Sequence, residues 1–151
     1  MKVYLATDHA GFELKEKIKD FLIKEGLEVK DFGAETLDPE DDYPDFISKA
    51  AEAVSTDPES KAIILGGSGQ GEAMVANKFS NVRAAVYYGK LEQMPELTRQ
   101  HNDSNILSLG ARFLNETEAI EAVKLFLQTP FSNEERHIRR IKKIDELEQK
   151  Y

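Results

Sequence analysis

The chain contains no cysteine. That absence excludes disulfides, thiolate metal sites, cysteine nucleophiles and cysteine general bases together. Long apolar runs are missing as well: no stretch approaches the roughly 18 residues that a membrane-spanning helix requires. The short apolar run Val3–Ala6 is too brief for the core of a signal peptide. A surplus of positive charge is the third absence. Twenty Lys and Arg stand against 28 Asp and Glu, a formal net charge of −8, which argues against generic binding to nucleic-acid backbones or anionic membrane. A small anion held by a few local cations stays open. The expectation is a cytoplasmic protein with neither a nucleic acid nor a membrane as partner.

What is present is an ordinary globular mixture, 40% hydrophobic and 32% charged over 151 residues. That length corresponds to one domain, residues 1–151, large enough to form a core without a metal or disulfide staple. Strand-like runs at Lys2–Thr7, Glu28–Phe32, Ala62–Leu65, Arg83–Tyr88 and Ile106–Leu109 alternate with segments of helical period. The helical segments are Phe12–Glu25, Tyr43–Val54, Ala73–Phe79, Leu91–His101 and Glu116–Leu127, with an acidic loop over 33–42. Strands separated in this way call for a parallel sheet covered on both faces, an α/β fold. In such sheets ligands bind beyond the carboxyl ends of the strands, which singles out the loops Asp8–Gly11, Gly66–Glu72 and Gly110–Arg112.

The last segment, Ser132 to Tyr151, reads as a terminal helix opened by a Ser132/Glu135 capping box. Ile138, Ile141, Ile144 and Leu147 form an apolar stripe along it. The stripe must dock on its own domain or on a partner chain, and the partner is the expectation.

The richest chemistry lies in Gly66-Gly67-Ser68-Gly69-Gln70-Gly71-Glu72, which follows a buried strand and opens a helix. Glycines let backbone N–H groups face a ligand, and the helix terminus adds partial positive charge. No window fits G-x-G-x-x-G, and Glu72 stands where a Walker loop needs Lys, so neither a dinucleotide nor a triphosphate is indicated. A carboxylate beside such a loop can take a proton from carbon while the N–H groups stabilise the developing oxyanion. The same residue can equally be a first-turn Glu that favours the helix dipole. Asp8-His9 follows the first strand at the carboxyl edge, and His101-Asn102 ends a helix, where a His also suits the dipole. Arg136 and Arg140 are four residues apart on one helix face and fit a phosphate bidentately; a solvated face is the alternative.

Taken in order, Asp8-His9-Ala10-Gly11, Asp42-Tyr43-Pro44, Gly67-Ser68-Gly69-x-Gly71, Ala76-Asn77-Lys78, Arg99-Gln100-His101-Asn102, Gly110-Ala111-Arg112 and Arg136-His137-x-x-Arg140 resemble type B ribose-5-phosphate isomerases and the related galactose-6-phosphate isomerase subunits. The resemblance is collinear over nearly the whole chain. It implies a Rossmann-like three-layer α/β/α sandwich with a five-stranded parallel sheet, and a homodimer or dimer of dimers with shared active sites. It implies no metal, no cofactor and a phosphosugar substrate isomerised through a cis-enediolate. By position, Glu72 would move the proton between carbons, the N–H groups of Gly67, Gly69 and Gly71 would hold the enediolate, and Ser68 would move a proton between its oxygens. His101 would open the sugar ring, with Asp8 and Asn102 on sugar hydroxyls and Tyr43 lining the pocket. His9, Arg112, Arg136 and Arg140 would take the phosphate, some of them from the partner subunit. Many members of this family carry a cysteine base at the position of Gly66; here the acid at Glu72 resembles the second branch, in which a Glu is the base.

The leading reading is interconversion of ribose 5-phosphate and ribulose 5-phosphate. Isomerisation of another phosphosugar (a galactose or allose 6-phosphate, or a tetrulose 4-phosphate) and a non-catalytic phosphosugar-binding subunit are the alternatives.

Overall fold

In the computed structural model, which describes residues 1–151, strands β1 (Lys2–Thr7), β2 (Glu28–Asp31), β3 (Lys61–Gly66), β4 (Ala84–Tyr87) and β5 (Ile106–Gly110) form one sheet. All neighbours are parallel, in the order β2-β1-β3-β5-β4. Parallel neighbours need crossover connections, and helices α1 (Phe12–Lys24), α2 (Pro44–Thr56), α3 (Gln70–Ala76) and α4 (Met94–Asn102) supply them, followed by α5 (Glu116–Gln128) and α6 (Glu135–Lys150).

Alternation along the strands sorts two cores. Val3, Leu5, Ile63, Leu65, Leu107 and Leu109 pack with Ile18 and Leu22 of α1 and with Ala122, Val123 and Phe126 of α5. Tyr4, Ala6, Ala62, Ile64 and Ile106 face the other way, onto Ile47, Ala50, Ala51 and Val54 of α2 and Ala76 of α3. The result is the expected three-layer α/β/α sandwich. Register pairs Thr7 with Leu65 and Gly66 with Gly110, so β1, β3 and β5 end level and their following loops converge. No helix is long and apolar enough to cross a membrane.

Three helix starts differ from the sequence reading by more than a residue, and α4 begins at Met94 rather than Leu91, after a turn at Glu92 and Gln93. Helix α3 begins at Gln70 rather than Ala73, because Gly69 turns the chain with a φ of 77° and the helix absorbs Gly71 in its first turn. It ends at Ala76, after which the Asn77 amide pairs with both backbone groups of Ala84 and steers the chain into β4. Helix α6 begins at Glu135, and the Ser132/Glu135 capping box does not form. Asn133 adopts a left-handed φ of 55°, Glu134 is the residue before the helix, and no side chain caps it. The Ser132 N–H instead donates to the Gln100 carbonyl at 3.2 Å, which ties this segment to α4. Along α6 only His137 is buried, while Ile138, Ile144 and Leu147 are 48%, 50% and 58% exposed.

Candidate active site

From β1 the chain winds outward to β2, and from β3 it winds the opposite way toward β5 and β4. The crevice between the carboxyl ends of β1 and β3 is therefore the switch point at which such sheets bind ligands. The Thr7 hydroxyl donates to the Leu65 carbonyl at 3.0 Å and locks the two strand ends together. Just beyond, buried Asp8 accepts from the Ala10 N–H at 2.9 Å and caps the 3-10 turn His9–Gly11 that leads into α1.

The β3–α3 loop is held from the β5 side. A Cβ on Gly69 would meet the Ser108 carbonyl oxygen and hydroxyl at 3.1 Å, in addition to the strain of its positive φ. The Ser108 hydroxyl donates to the Gly69 carbonyl at 2.7 Å. The Ala111 and Arg112 N–H groups donate to the Gly66 and Gly67 carbonyls at 2.8 and 3.1 Å. This stitching lays the Arg112 guanidinium over Gly67, with Nη1 3.1 Å from the place a Cβ would occupy. From the other side, the Tyr43 hydroxyl comes 2.6 Å from the corresponding position on Gly71. Ser68 lies half-buried in the same loop.

Glu72 enters in the first turn of α3 and is only 4% exposed. Its carboxyl group lies against Gly66, in the place where a Cβ on that residue would fall. Burial pushes its pKa above the usual carboxylate range, against its own backbone N–H, and the Asp8 charge pushes it the same way. A buried carboxylate with a raised pKa beside glycine N–H groups can abstract a proton from carbon and leave the resulting oxyanion with donors.

Asp41, which the sequence reading passed over within its acidic loop, joins this group. Its Oδ1 accepts from the His9 backbone N–H at 3.0 Å and lies 2.7 Å from His9 Nδ1. Nothing in the run Asp38 to Asp42 marks Asp41 apart from its acidic neighbours; only the fold selects it. Asp8, His9 and Asp41 bring their donor atoms within 4.8 Å of one another, with Asp41 Oδ1 and His9 Nδ1 facing each other at 2.7 Å.

His101, Asn102, Arg136 and Arg140 form a second group elsewhere. Helix α4 ends at Asn102, beside the start of β5, whereas Arg112 follows the end of β5. Five residues of strand, about 16 Å, separate the two levels. Asp103 turns the chain out of α4 with a left-handed φ of 45°. Arg99 grips that turn through Asp103 Oδ1 (2.8 Å) and the Ser104 carbonyl (2.6 Å), and Arg83 grips it through Asp103 Oδ2 at 3.1 Å. Held this way, His101 and Asn102 stand exposed. The His101 ring stacks on His137 of α6, with centroids 4.5 Å apart and planes 10° from parallel. Burial, then His101 and Arg136, press the His137 pKa below the usual imidazole range. Arg136 and Arg140 are both exposed on α6, Arg136 against Glu134 at 2.9 Å.

Of the site residues expected from sequence, the fold thus gathers Asp8, His9, Tyr43, Gly67, Ser68, Gly69, Gly71, Glu72 and Arg112 at the carboxyl edge, and leaves His101, Asn102, Arg136 and Arg140 at the opposite level. Ser68 lines a cavity of about 350 Å³ with Gln70, Tyr88 and Phe113, and His101 and Asn102 line one of about 200 Å³ with Tyr87 and Pro95.

A doubly wound sheet whose switch point holds a glycine loop, a buried carboxylate and cationic side chains defines an α/β protein equipped for proton transfer on a small anionic substrate. The family model described as Ribose/Galactose Isomerase matches residues 3–144, and the chain belongs to that family. Among relatives, ribose-5-phosphate isomerase B of Mycobacterium tuberculosis (strain ATCC 25618 / H37Rv) is 43% identical over 148 residues, covering 98% of this chain and 90% of that one. The crystal structure of ribose-5-phosphate isomerase B from Mycoplasma genitalium with bound ribulose-5-phosphate superposes with a TM-score of 0.95 at 36% identity, over 99% of this chain and 97% of that one. The Clostridium thermocellum ribose-5-phosphate isomerase B gives 0.94 at 42% identity, over 100% and 99%.

Proposed function

We propose that the protein is an aldose–ketose isomerase that interconverts ribose 5-phosphate and ribulose 5-phosphate through a cis-enediolate, with Glu72 as the base. The observation that carries this reading is the buried Glu72 carboxyl, seated against Gly66 at the mouth of the glycine loop. Membership of the isomerase family and the likeness to a structure titled with bound ribulose-5-phosphate support the choice of substrate.

Glu72 takes the proton from C2 of the open-chain aldose. The C2–H electrons form the C1=C2 bond, and the carbonyl π electrons pass to O1, which the N–H groups of Gly67 to Gly71 receive. Ser68 moves the hydroxyl proton from O2 to O1, and the Glu72 carboxylic acid returns its proton to C1 as the ketone forms at C2. Asp8 and Tyr43 hold the sugar, while His9 and Arg112 hold the phosphate.

Ring opening needs His101, and a sugar hydroxyl needs Asn102, yet both sit a strand's length away within the chain. A homodimer answers this: a second copy brings its His101 and Asn102, with Arg136 and Arg140, to the carboxyl edge of the first. The exposed apolar residues Ile138, Ile144 and Leu147 of α6 supply surface for such pairing. The reading takes the protein to be a soluble metabolic enzyme of the cytoplasm. A coupled assay of the purified chain, with and without a chelator, tests the reading. Turnover of ribose 5-phosphate that exceeds turnover of six-carbon phosphosugars supports it, and turnover confined to a hexose 6-phosphate overturns the substrate assignment.

A further inference from the structure

His9 faces charged groups from three elements: Asp8 on its own turn, Asp41 on the loop before α2, and Arg112 on the loop after β5. Asp41 is the one that holds it. A carboxylate can only accept, so the 2.7 Å approach of Asp41 Oδ1 to His9 Nδ1 means that Nδ1 carries a proton. The same oxygen accepts the His9 backbone N–H at 3.0 Å, so backbone and ring are fixed by one atom. Asp41 Oδ2 is buried without a hydrogen-bond partner. An unpartnered buried carboxylate oxygen weakens the fold, and a neutral amide would anchor the loop equally well. The charge therefore has its use at His9.

With Nδ1 committed, Nε2 is the nitrogen left for a ligand. In the neutral ring Nε2 is a bare lone pair, which repels a phosphate oxygen; in the imidazolium it is a donor. We propose that Asp41 is a positioning residue for substrate phosphate, holding His9 with Nε2 as a charged hydrogen-bond donor. This deepens the functional reading above and rests on its assignment of His9 to the phosphate. The hydrogen bond to Asp41 is the largest influence raising the His9 pKa, opposed by desolvation, aided by Asp8 and countered by Arg112.

The test is the variant Asp41→Asn, which keeps an accepting oxygen and loses the charge; Asp41→Thr serves if the amide disturbs folding. The His9 titration is followed by NMR of nitrogen-15-labelled imidazole in the free protein, and inhibition by inorganic phosphate is measured from about pH 5.5 to about pH 8, the window in which histidine titrates. The variant is expected to titrate at lower pH than the wild type, with the Nδ1–H tautomer retained. Phosphate inhibition should match the wild type near the acid end and fall behind it at the alkaline end in proportion to the lost imidazolium. KM for the phosphosugar should follow the same pH-dependent divergence while kcat changes little. In a His9→Asn background, Asp41→Asn should add nothing. An unchanged His9 titration, or a loss of phosphate inhibition equal at every pH, would make Asp41 a loop anchor only and overturn the proposal. A shifted titration with no change in phosphate inhibition would overturn it through His9, by removing that residue from the phosphate site while leaving the Glu72 chemistry untouched.

Discussion

The carboxyl group of Glu72 fills the volume that a side chain on Gly66 would occupy. Two positions six apart in sequence therefore compete for one place in the crevice. This would give a steric basis to the two branches that the sequence resemblance implies. A cysteine at position 66 and a glutamate at position 72 would deliver their reactive atoms to the same point, so a chain that uses one must leave room at the other.

Substitution at Gly66 should consequently damage catalysis through Glu72. Gly66→Ala is expected to lower kcat and to destabilise the fold by about 1–3 kcal/mol, the usual cost of overpacking. In a Glu72→Ala background most of that stability cost should vanish, because the clashing carboxyl is gone. Denaturant unfolding of the two single variants and the double variant measures the coupling; simple additivity would contradict the shared volume.

Removal of the Glu72 charge should separate stability from activity. Glu72→Gln is expected to lower kcat by about 10²–10⁴-fold, the range of general acid–base catalysis, with KM little changed. Since burial raises the folded-state pKa of Glu72 above its unfolded value, its ionisation destabilises the fold once pH passes the unfolded value, and the penalty is complete above the folded one. Glu72→Gln should thus raise Tm at neutral pH and lose that advantage in acid below the unfolded pKa. The wild-type kcat should fall as pH drops through the raised pKa. A flat acid limb would assign the base elsewhere.

The cationic face of α6 should act on binding rather than on chemistry. Replacement of Arg136 and Arg140 together by Ala is expected to raise KM by about tenfold or more, since charge-assisted hydrogen bonds contribute about 1.5–3 kcal/mol each. An unchanged KM in steady-state kinetics would return both residues to a solvated face.

On the β2 side of the β1 end, Lys15 is fully buried and bonds Asp31 at 2.5 Å, and Asp31 also accepts from Lys19 at 2.9 Å and from the Gly33 N–H at 2.9 Å. Burial alone would raise the Asp31 pKa, but Lys15, Gly33 and Lys19 together hold it below the usual range. The cluster therefore stabilises the fold above the unfolded pKa of Asp31, and that share is lost as pH falls toward the folded one. Lys15→Met should cost about 1–3 kcal/mol at neutral pH, because Asp31 loses a charged partner while Lys19 and the Gly33 N–H remain. Unfolding measured at neutral and acidic pH should show the difference shrink in acid.

Much of this was legible in the residues because period and punctuation are local signals. Lys2–Thr7 and Ala62–Leu65 read as strands, and the loops after them follow from the rule for parallel sheets. What escaped depends on distance in space. Helix α3 starts three residues before Ala73 because the left-handed turn at Gly69 begins the helix there. Ser132 and Glu135 have capping-box spacing, but the Gln100 carbonyl and the turn at Asn133 draw the chain elsewhere. Asp41 gains its meaning only when the 33–42 loop folds back on His9. The division of the site residues between two levels follows from the direction of α4, which a list of motifs does not contain.

That division supplies the most direct test of a catalytic site built by two chains. Glu72→Gln and His101→Gln are each expected to be nearly inactive on ribose 5-phosphate as homodimers. Mixed by co-expression or co-refolding, the two variants form heterodimers in which one site receives an intact Glu72 from one chain and an intact His101 from the other. With random pairing, half of the dimers carry one intact site of two, so about a quarter of wild-type activity should return. Failure of the mixture to exceed the sum of its parents, with heterodimers demonstrably present, would contradict the shared site.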